Sequence, residues 1–154
     1  GRLHRNFQGY STQPDCDLLG LGVSAIGRVG ATYSQNAKTL PEYYDALRHG
    51  QFPVVRGLAL ARDDLVRRAV IMALMCQGHV VFESIELSHL VEFRRYFAAE
   101  LEQMQAFAEQ GLVTVEPDGI RVTPTGWYFV RGIAMVFDRY LQADRSRERF
   151  SKII

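Results

Sequence analysis

Three features of the 154-residue sequence predict a mainly α fold with a small β component. Residues 61–110 and 125–142 carry apolar side chains at spacings of three and four, the period that puts them on one stripe of a helix. A pair of short β-type runs flanks Pro117-Asp118-Gly119, and one continuous apolar run with interspersed glycine, residues 18–26, stands apart near the start.

Residues 1–17 read as loop, because Gly, Asn, Ser, Thr, Gln and Pro dominate and neither period is visible. Residues 18–26 read as a strand buried on both faces, the kind found in parallel sheets and barrels, which needs a partner on each side. Gly27 and Gly30 mark a turn, and Thr39-Leu40-Pro41-Glu42 forms a capping box for a helix ending near Gly50, with Tyr43, Tyr44 and Leu47 on its apolar side. Residues 51–60, with Val54, Val55, Leu58 and Leu60, read as a connector between two structural units. From residue 61 a helix is expected to bury Leu65, Ala69, Met72, Ala73 and Cys76, to expose Arg62, Arg67 and Arg68, and to end at Gly78. A short helix over 83–90 and a long one over 91–110 follow, the second with Phe93, Phe97, Leu101, Met104, Phe107 and Ala108 on one stripe and Gly111 as its C-cap. Residues 112–116 and 119–123 form a hairpin, and Thr123-Pro124-Thr125 opens a last helix to about Gln142 that buries Trp127, Val130, Ile133, Ala134, Phe137 and Leu141. Helices followed by a hairpin and a closing helix give a winged-helix-like domain over 53–154, with 1–52 as a separate N-terminal unit.

Composition narrows the function. A formal charge of +1 provides no bulk attraction for phosphate or anionic lipid, and no apolar run approaches the ~20 residues of a membrane helix, so neither nucleic acid nor membrane is an expected partner. Cys16 and Cys76 lack a Cys or His neighbour at ligand spacing, so no zinc or iron–sulfur site is expected within the chain and both thiols are expected reduced and mostly buried. With no secretory signal in the sequence, a cytoplasmic setting is expected. The polar block His4 to Gln13 reads as site machinery at an N-terminus without an initiator Met, so the chain is expected to be a fragment.

Arg2 to Gln13 and Asp17 to Ile26 resemble the matching segment of the oxygen-independent coproporphyrinogen III oxidases, radical S-adenosylmethionine enzymes of bacterial haem synthesis. Similar blocks continue at Gln35-Asn36-Ala37-Lys38-Thr39-Leu40, Arg56-Gly57-Leu58-Ala59-Leu60, Arg67-Arg68-Ala69-Val70-Ile71, Gly111-Leu112-Val113, Gly119-Ile120-Arg121-Val122-Thr123 and Phe150-Ser151-Lys152-Ile153-Ile154. The resemblance runs nearly end to end and is most specific before residue 72. It implies that residues 1–52 are the C-terminal remnant of a radical S-adenosylmethionine (β/α) barrel and that 53–154 are a winged-helix-like domain covering the active-site opening. It implies S-adenosylmethionine and a 4Fe-4S cluster as cofactors of the whole enzyme. The reaction would cleave S-adenosylmethionine reductively, abstract hydrogen from a propionate side chain and release carbon dioxide to leave a vinyl group, taking coproporphyrinogen III to protoporphyrinogen IX. The family's cluster motif, Cys-x-x-x-Cys-x-x-Cys, is absent from this sequence. The chain by itself is therefore expected to be inactive, with the rest of its catalytic domain and the porphyrinogen as partners.

In the family, residues matching Phe7, Gln8 and Ile26 border a second S-adenosylmethionine, which makes these three the cofactor-binding candidates; no catalytic or metal-ligating residue is assigned. The residue types suit the task, since a Gln offers two donors and an acceptor and a Phe can cover an adenine or thioether face. Gly20, Gly22 and Gly27 give neither the dinucleotide fingerprint nor a phosphate loop; they fit close backbone approach, and in the family this segment lies beside bound S-adenosylmethionine. A tetracarboxylate substrate calls for arginine, whose planar fork binds carboxylates bidentately. Arg5 is the substrate candidate because it adjoins the ligand loop; Arg56, Arg67, Arg68 and Arg131 are weaker ones.

Two other readings compete. One is a non-catalytic winged-helix interaction module, with a protein more fitting than DNA because the expected recognition helix sets Arg94 and Arg95 against Glu92, Glu100, Glu102 and Glu109. The other is the tail of a haem-handling relative without oxidase activity. A severed barrel would also leave a bare strand edge along 18–26, for which either disorder of that segment or pairing of copies into a dimer is expected.

Overall fold

The computed structural model describes residues 3–6, 9–13 and 16–142, a mixture of helix and sheet. Apart from the first three residues the chain divides into two compact units, His4–Leu65 and Val66–Ile154.

In His4–Leu65 a two-stranded ladder joins β1 (His4–Asn6) to β2 (Gly9–Ser11), where loop was expected. A second sheet, β3 (Ile26–Val29), β4 (Thr32–Asn36) and β5 (Val54–Ala59), is wholly antiparallel. The two-residue turn Gly30-Ala31 closes β3 on β4, with Gly30 at φ +54. Between β4 and β5 lies α1 (Leu40–Arg48), started by the expected box: Thr39 Oγ1 accepts from the Glu42 amide at 3.5 Å and meets Glu42 Oε2 at 2.7 Å. The buried strand expected over 18–26 is not formed. Leu18 makes a single antiparallel bridge to Arg28, the strand begins only at Ile26, and Leu19, Leu21 and Val23 are exposed. The edge strands of this sheet are β3 and β5. The connector over 51–60 proves to be largely β5.

α2 (Arg62–Gln77) begins in the first unit and, from Val66 on, enters the core of the other through Val66, Val70 and Leu74, all at 0% exposure, one position along from the face expected. Arg67, expected outside, donates to Glu100 at 2.6 Å and to the Phe137 carbonyl at 3.3 Å, and lies over the Phe97 ring. Gly78 ends the helix at φ +69, where a Cβ would stand 2.5 Å from the Trp127 ring. β6 (His79–Val81), β7 (Val113–Val115) and β8 (Gly119–Val122) form a sheet in the order β6-β8-β7. The β7–β8 hairpin is as expected; β6 is an addition. α3 (Phe82–His89) ends on Leu90 at φ +53. The expected long helix is broken at Phe97 into α4 (Phe93–Tyr96) and α5 (Ala98–Glu109). Its aromatic stripe is nevertheless correct: Phe82 stacks on Phe93 at 4.1 Å, and Phe97 meets Phe137 edge-on at 5.3 Å. Each such ring stabilises by ~1.5–3 kcal/mol through burial.

The expected last helix is also broken, into a 3-10 turn at Gly126–Phe129, α6 (Val130–Ala134) and a second 3-10 turn at Met135–Phe137. Gly126 sets that geometry, because a Cβ there would fall 1.9 Å from the Leu112 carbonyl oxygen. Ile133, Ala134 and Phe137 are buried, but Trp127 and Phe129 are exposed. Cys76 is buried and Cys16, against expectation, is exposed.

Candidate functional site

The glycine-rich loop Gly20–Ala25, leading into Ile26 at the start of β3, is where sequence and structure converge. Gly20 packs so tightly on Ile26 that a Cβ would lie 2.9 Å from the Ile26 carbonyl carbon, and one on Gly27 would lie 2.9 Å from the Leu18 oxygen. Gly22 adopts φ +95, and Ser24 holds φ +61, a conformation costly for a side-chain-bearing residue. Three neighbours fix the loop. The Asn36 side-chain amide donates to the Gly20 and Gly22 carbonyls at 2.9 and 3.0 Å, the Gly22 amide donates to the Tyr43 hydroxyl at 3.1 Å, and the Ser24 amide donates to the Ala37 carbonyl at 2.8 Å. Gln35 adds an Nε2 bond to the Ser24 carbonyl at 3.2 Å and receives one from Arg56 Nε at 2.8 Å.

Of the residues singled out in the sequence, Phe7 and Gln8 lie outside the described residues. Ile26 is half-buried and pairs with Gln35 across β3 and β4. Arg5 is half-buried in β1, opposite Tyr10, with its guanidinium 5.3 Å from that ring's centroid. Arg5 and Ile26 therefore sit on different sheets. Arg56 is tied to Gln35 and Arg67 is committed to Glu100, while Arg131 is exposed. Arg94 donates to the Glu116 and Pro117 carbonyls and lies over Phe82, so it holds the β7–β8 turn.

Asn36 and Tyr43 were not read as site residues. Asn36 sits in a polar stretch that looks like loop, and Tyr43 reads as the apolar face of α1. The usable signal for Asn36 would have been a buried amide opposite two close glycines, which requires knowing the strand register.

No group of three His, Cys, Asp or Glu able to hold a metal occurs among the described residues, and the sequence has two cysteines, Cys16 and Cys76, where the family's cluster motif needs three. In the glycine loop the Gly20 and Gly22 carbonyls and the Gly22 amide are used internally, while Leu21 stands 87% exposed and Gly22 has open space on its side-chain position. No helix among the described residues is long and apolar enough to cross a membrane.

Residues 60–129 match the model of the HemN C-terminal domain family. Along its whole length the chain is 47% identical to an oxygen-independent coproporphyrinogen III oxidase of Pseudomonas aeruginosa, of which it spans 33%. It is 45% identical over its whole length to the protein of that name from Escherichia coli, of which it spans 34%. The solved structure of coproporphyrinogen III oxidase (HemN) from Escherichia coli, a radical SAM enzyme, is similar with a TM-score of 0.87 at 46% identity, covering 90% of this chain and 32% of that one. The chain thus spans about a third of the length of these relatives and matches their C-terminal portion, and the resemblance read from its sequence is borne out.

Proposed function

We propose that this chain serves as the C-terminal part of an oxygen-independent coproporphyrinogen III oxidase, the rest of the enzyme supplying the 4Fe-4S cluster and the first S-adenosylmethionine. The observation that carries this reading is end-to-end identity of 47% with a curated enzyme of that name. It is supported by the glycine loop, which Gln35 and Asn36 hold from inside a block that resembles the family. Residues 1–52 would complete the catalytic barrel, with β5 as the passage to a winged-helix-like cover over 53–154; the order helix, strand, helices and hairpin from α2 to β8 supports that description.

Phe7, Gln8 and Ile26 would border a second S-adenosylmethionine, and Arg5 would face a substrate carboxylate. When bound, the cofactors supply the hydrogen-abstracting radical. This chain's own residues would orient the nucleoside against the loop, pair a propionate and exclude water from the porphyrinogen. The setting would be cytoplasmic. A nucleic-acid partner is not part of this reading: of the two arginines on the expected recognition helix, Arg94 is used to hold the hairpin turn.

A chimera tests the proposal. This chain replaces the corresponding C-terminal part of the Escherichia coli enzyme, and decarboxylation of coproporphyrinogen III is measured without oxygen. Turnover is expected, with none from the 154-residue chain alone. A folded, cluster-loaded chimera that binds S-adenosylmethionine but leaves coproporphyrinogen III untouched would overturn it.

A further inference from the structure

We propose that Asn36 is a positioning residue that holds the Gly20–Ala25 loop in its strained form and thereby sets Ile26 against the nucleoside ligand; this rests on the function proposed above. Asn36 is 7% exposed, and its amide bonds two carbonyl oxygens, Gly20 at 2.9 Å and Gly22 at 3.0 Å. Of the two ends of the Asn amide only the NH2 nitrogen donates, and it carries two hydrogens, so the orientation of the amide follows from its two carbonyl partners. Its backbone joins the same loop, the Asn36 amide donating to the Ala25 carbonyl at 2.9 Å.

The neighbouring strand is irregular at this point: Gln35 pairs with Arg56 but Asn36 pairs with Val54, so β5 carries the extra residue Val55 beside the Gln35–Asn36 step. Opposite it stands Ser24 at φ +61, a backbone state that persists only where surroundings over-determine it. Ser24 is held by the Ala37 carbonyl on its amide and by Gln35 on its carbonyl, and Gly22 by the Tyr43 hydroxyl. Four residues of one segment thus grip one loop, and Gly20 leaves no slack between that loop and the Ile26 backbone. A displacement of the loop must carry Ile26 with it.

The test uses the complete enzyme and two substitutions. Asn36→Asp keeps shape but sets a carboxylate against two carbonyl oxygens; Tyr43→Phe removes only the acceptor for the Gly22 amide. KM is measured separately for S-adenosylmethionine and for the porphyrinogen, with kcat and the melting temperature. Expected for Asn36→Asp is a rise of about tenfold in the KM for S-adenosylmethionine, the scale of one lost buried hydrogen bond, with the porphyrinogen KM nearly unchanged. Tyr43→Phe moves the same constant in the same direction by about threefold. A lowered melting temperature with an unchanged KM for S-adenosylmethionine would reduce Asn36 to a structural role and overturn the proposal. If Asn36→Asp does not fold, Tyr43→Phe decides, and an unchanged KM there overturns it. Stabilisation of wild type and variants by S-adenosylmethionine alone, without porphyrinogen, gives the same answer even if the wild type fails to turn over coproporphyrinogen III, an outcome that would count against the proposed function only.

Discussion

The two units of this chain differ in what they bury. Val66–Ile154 encloses a core of Phe82, Phe93, Phe97, Met104, Ile120, Ile133 and Phe137 among others, whereas in His4–Leu65 the buried apolar side chains among the described residues are Ala37 and Pro53. The N-terminal unit has comparable apolar content, but Leu19, Leu21, Leu40, Phe52, Val55 and Leu58 face outward. All six residues of β5 are exposed. Backbone hydrogen bonds, glycine contacts and the Asn36 amide shape this region in place of a core. Such a surface is unusual for a self-sufficient unit and normal for one that packs against further chain. The relatives are about three times as long, and under the function proposed above the rest of the catalytic domain would cover this surface.

The difference is broken most severely by Phe97→Ala. Phe97 is fully buried against Phe93, Tyr96 and Phe137, and the loss of its ring is expected to cost ~3–5 kcal/mol in the unfolding of the C-terminal unit alone. Urea denaturation followed by tryptophan fluorescence reads it, because the chain's one Trp, Trp127, lies in that unit. Next is Arg67→Ala, which strands Glu100, whose side chain is 13% exposed, without its 2.6 Å partner. About 3 kcal/mol is expected, and the double change Arg67→Met with Glu100→Leu should recover most of it, since an apolar pair of similar volume removes the uncompensated charge. The smallest effect sharpens the contrast from the other side. Leu58→Thr on β5 should alter the stability of the chain alone by less than about 0.5 kcal/mol, yet cost about 1 kcal/mol in the complete enzyme if that face is covered there. Equal, negligible effects in both settings would mean that β5 stays open to solvent.

What could be read in the sequence follows the range of the forces involved. The Thr39 box and the β7–β8 turn are set by residues within a few positions, and both form as expected. The α4–α5 aromatic stripe was legible because polar residues separate its members. On α2 the reading slipped by one position: Leu65 to Met75 is apolar on almost every side, so periodicity selects no face and the packing partner does. Residues 18–26 look like a buried strand by composition, but glycine there serves close backbone contact with β3, and nothing in the local sequence distinguishes the two uses. Break points at Phe97 and Gly126 depend on contacts with Phe137 and Leu112, distant in sequence. The family blocks disclosed Ile26 and its loop, but not Asn36, whose bonds to the Gly20 and Gly22 carbonyls exist only once β4 lies beside that loop.

The dependence of the N-terminal unit on further chain is tested most directly by amide hydrogen exchange on the 154-residue chain, alone and within the chimera. Expected for the chain alone is slow exchange through global unfolding at core amides such as Val70 and Leu101, with β3–β5 amides such as Tyr33 and Arg56 at least about tenfold faster, and their protection restored in the chimera. Equal protection of both sets in the isolated chain, unchanged in the chimera, would contradict it.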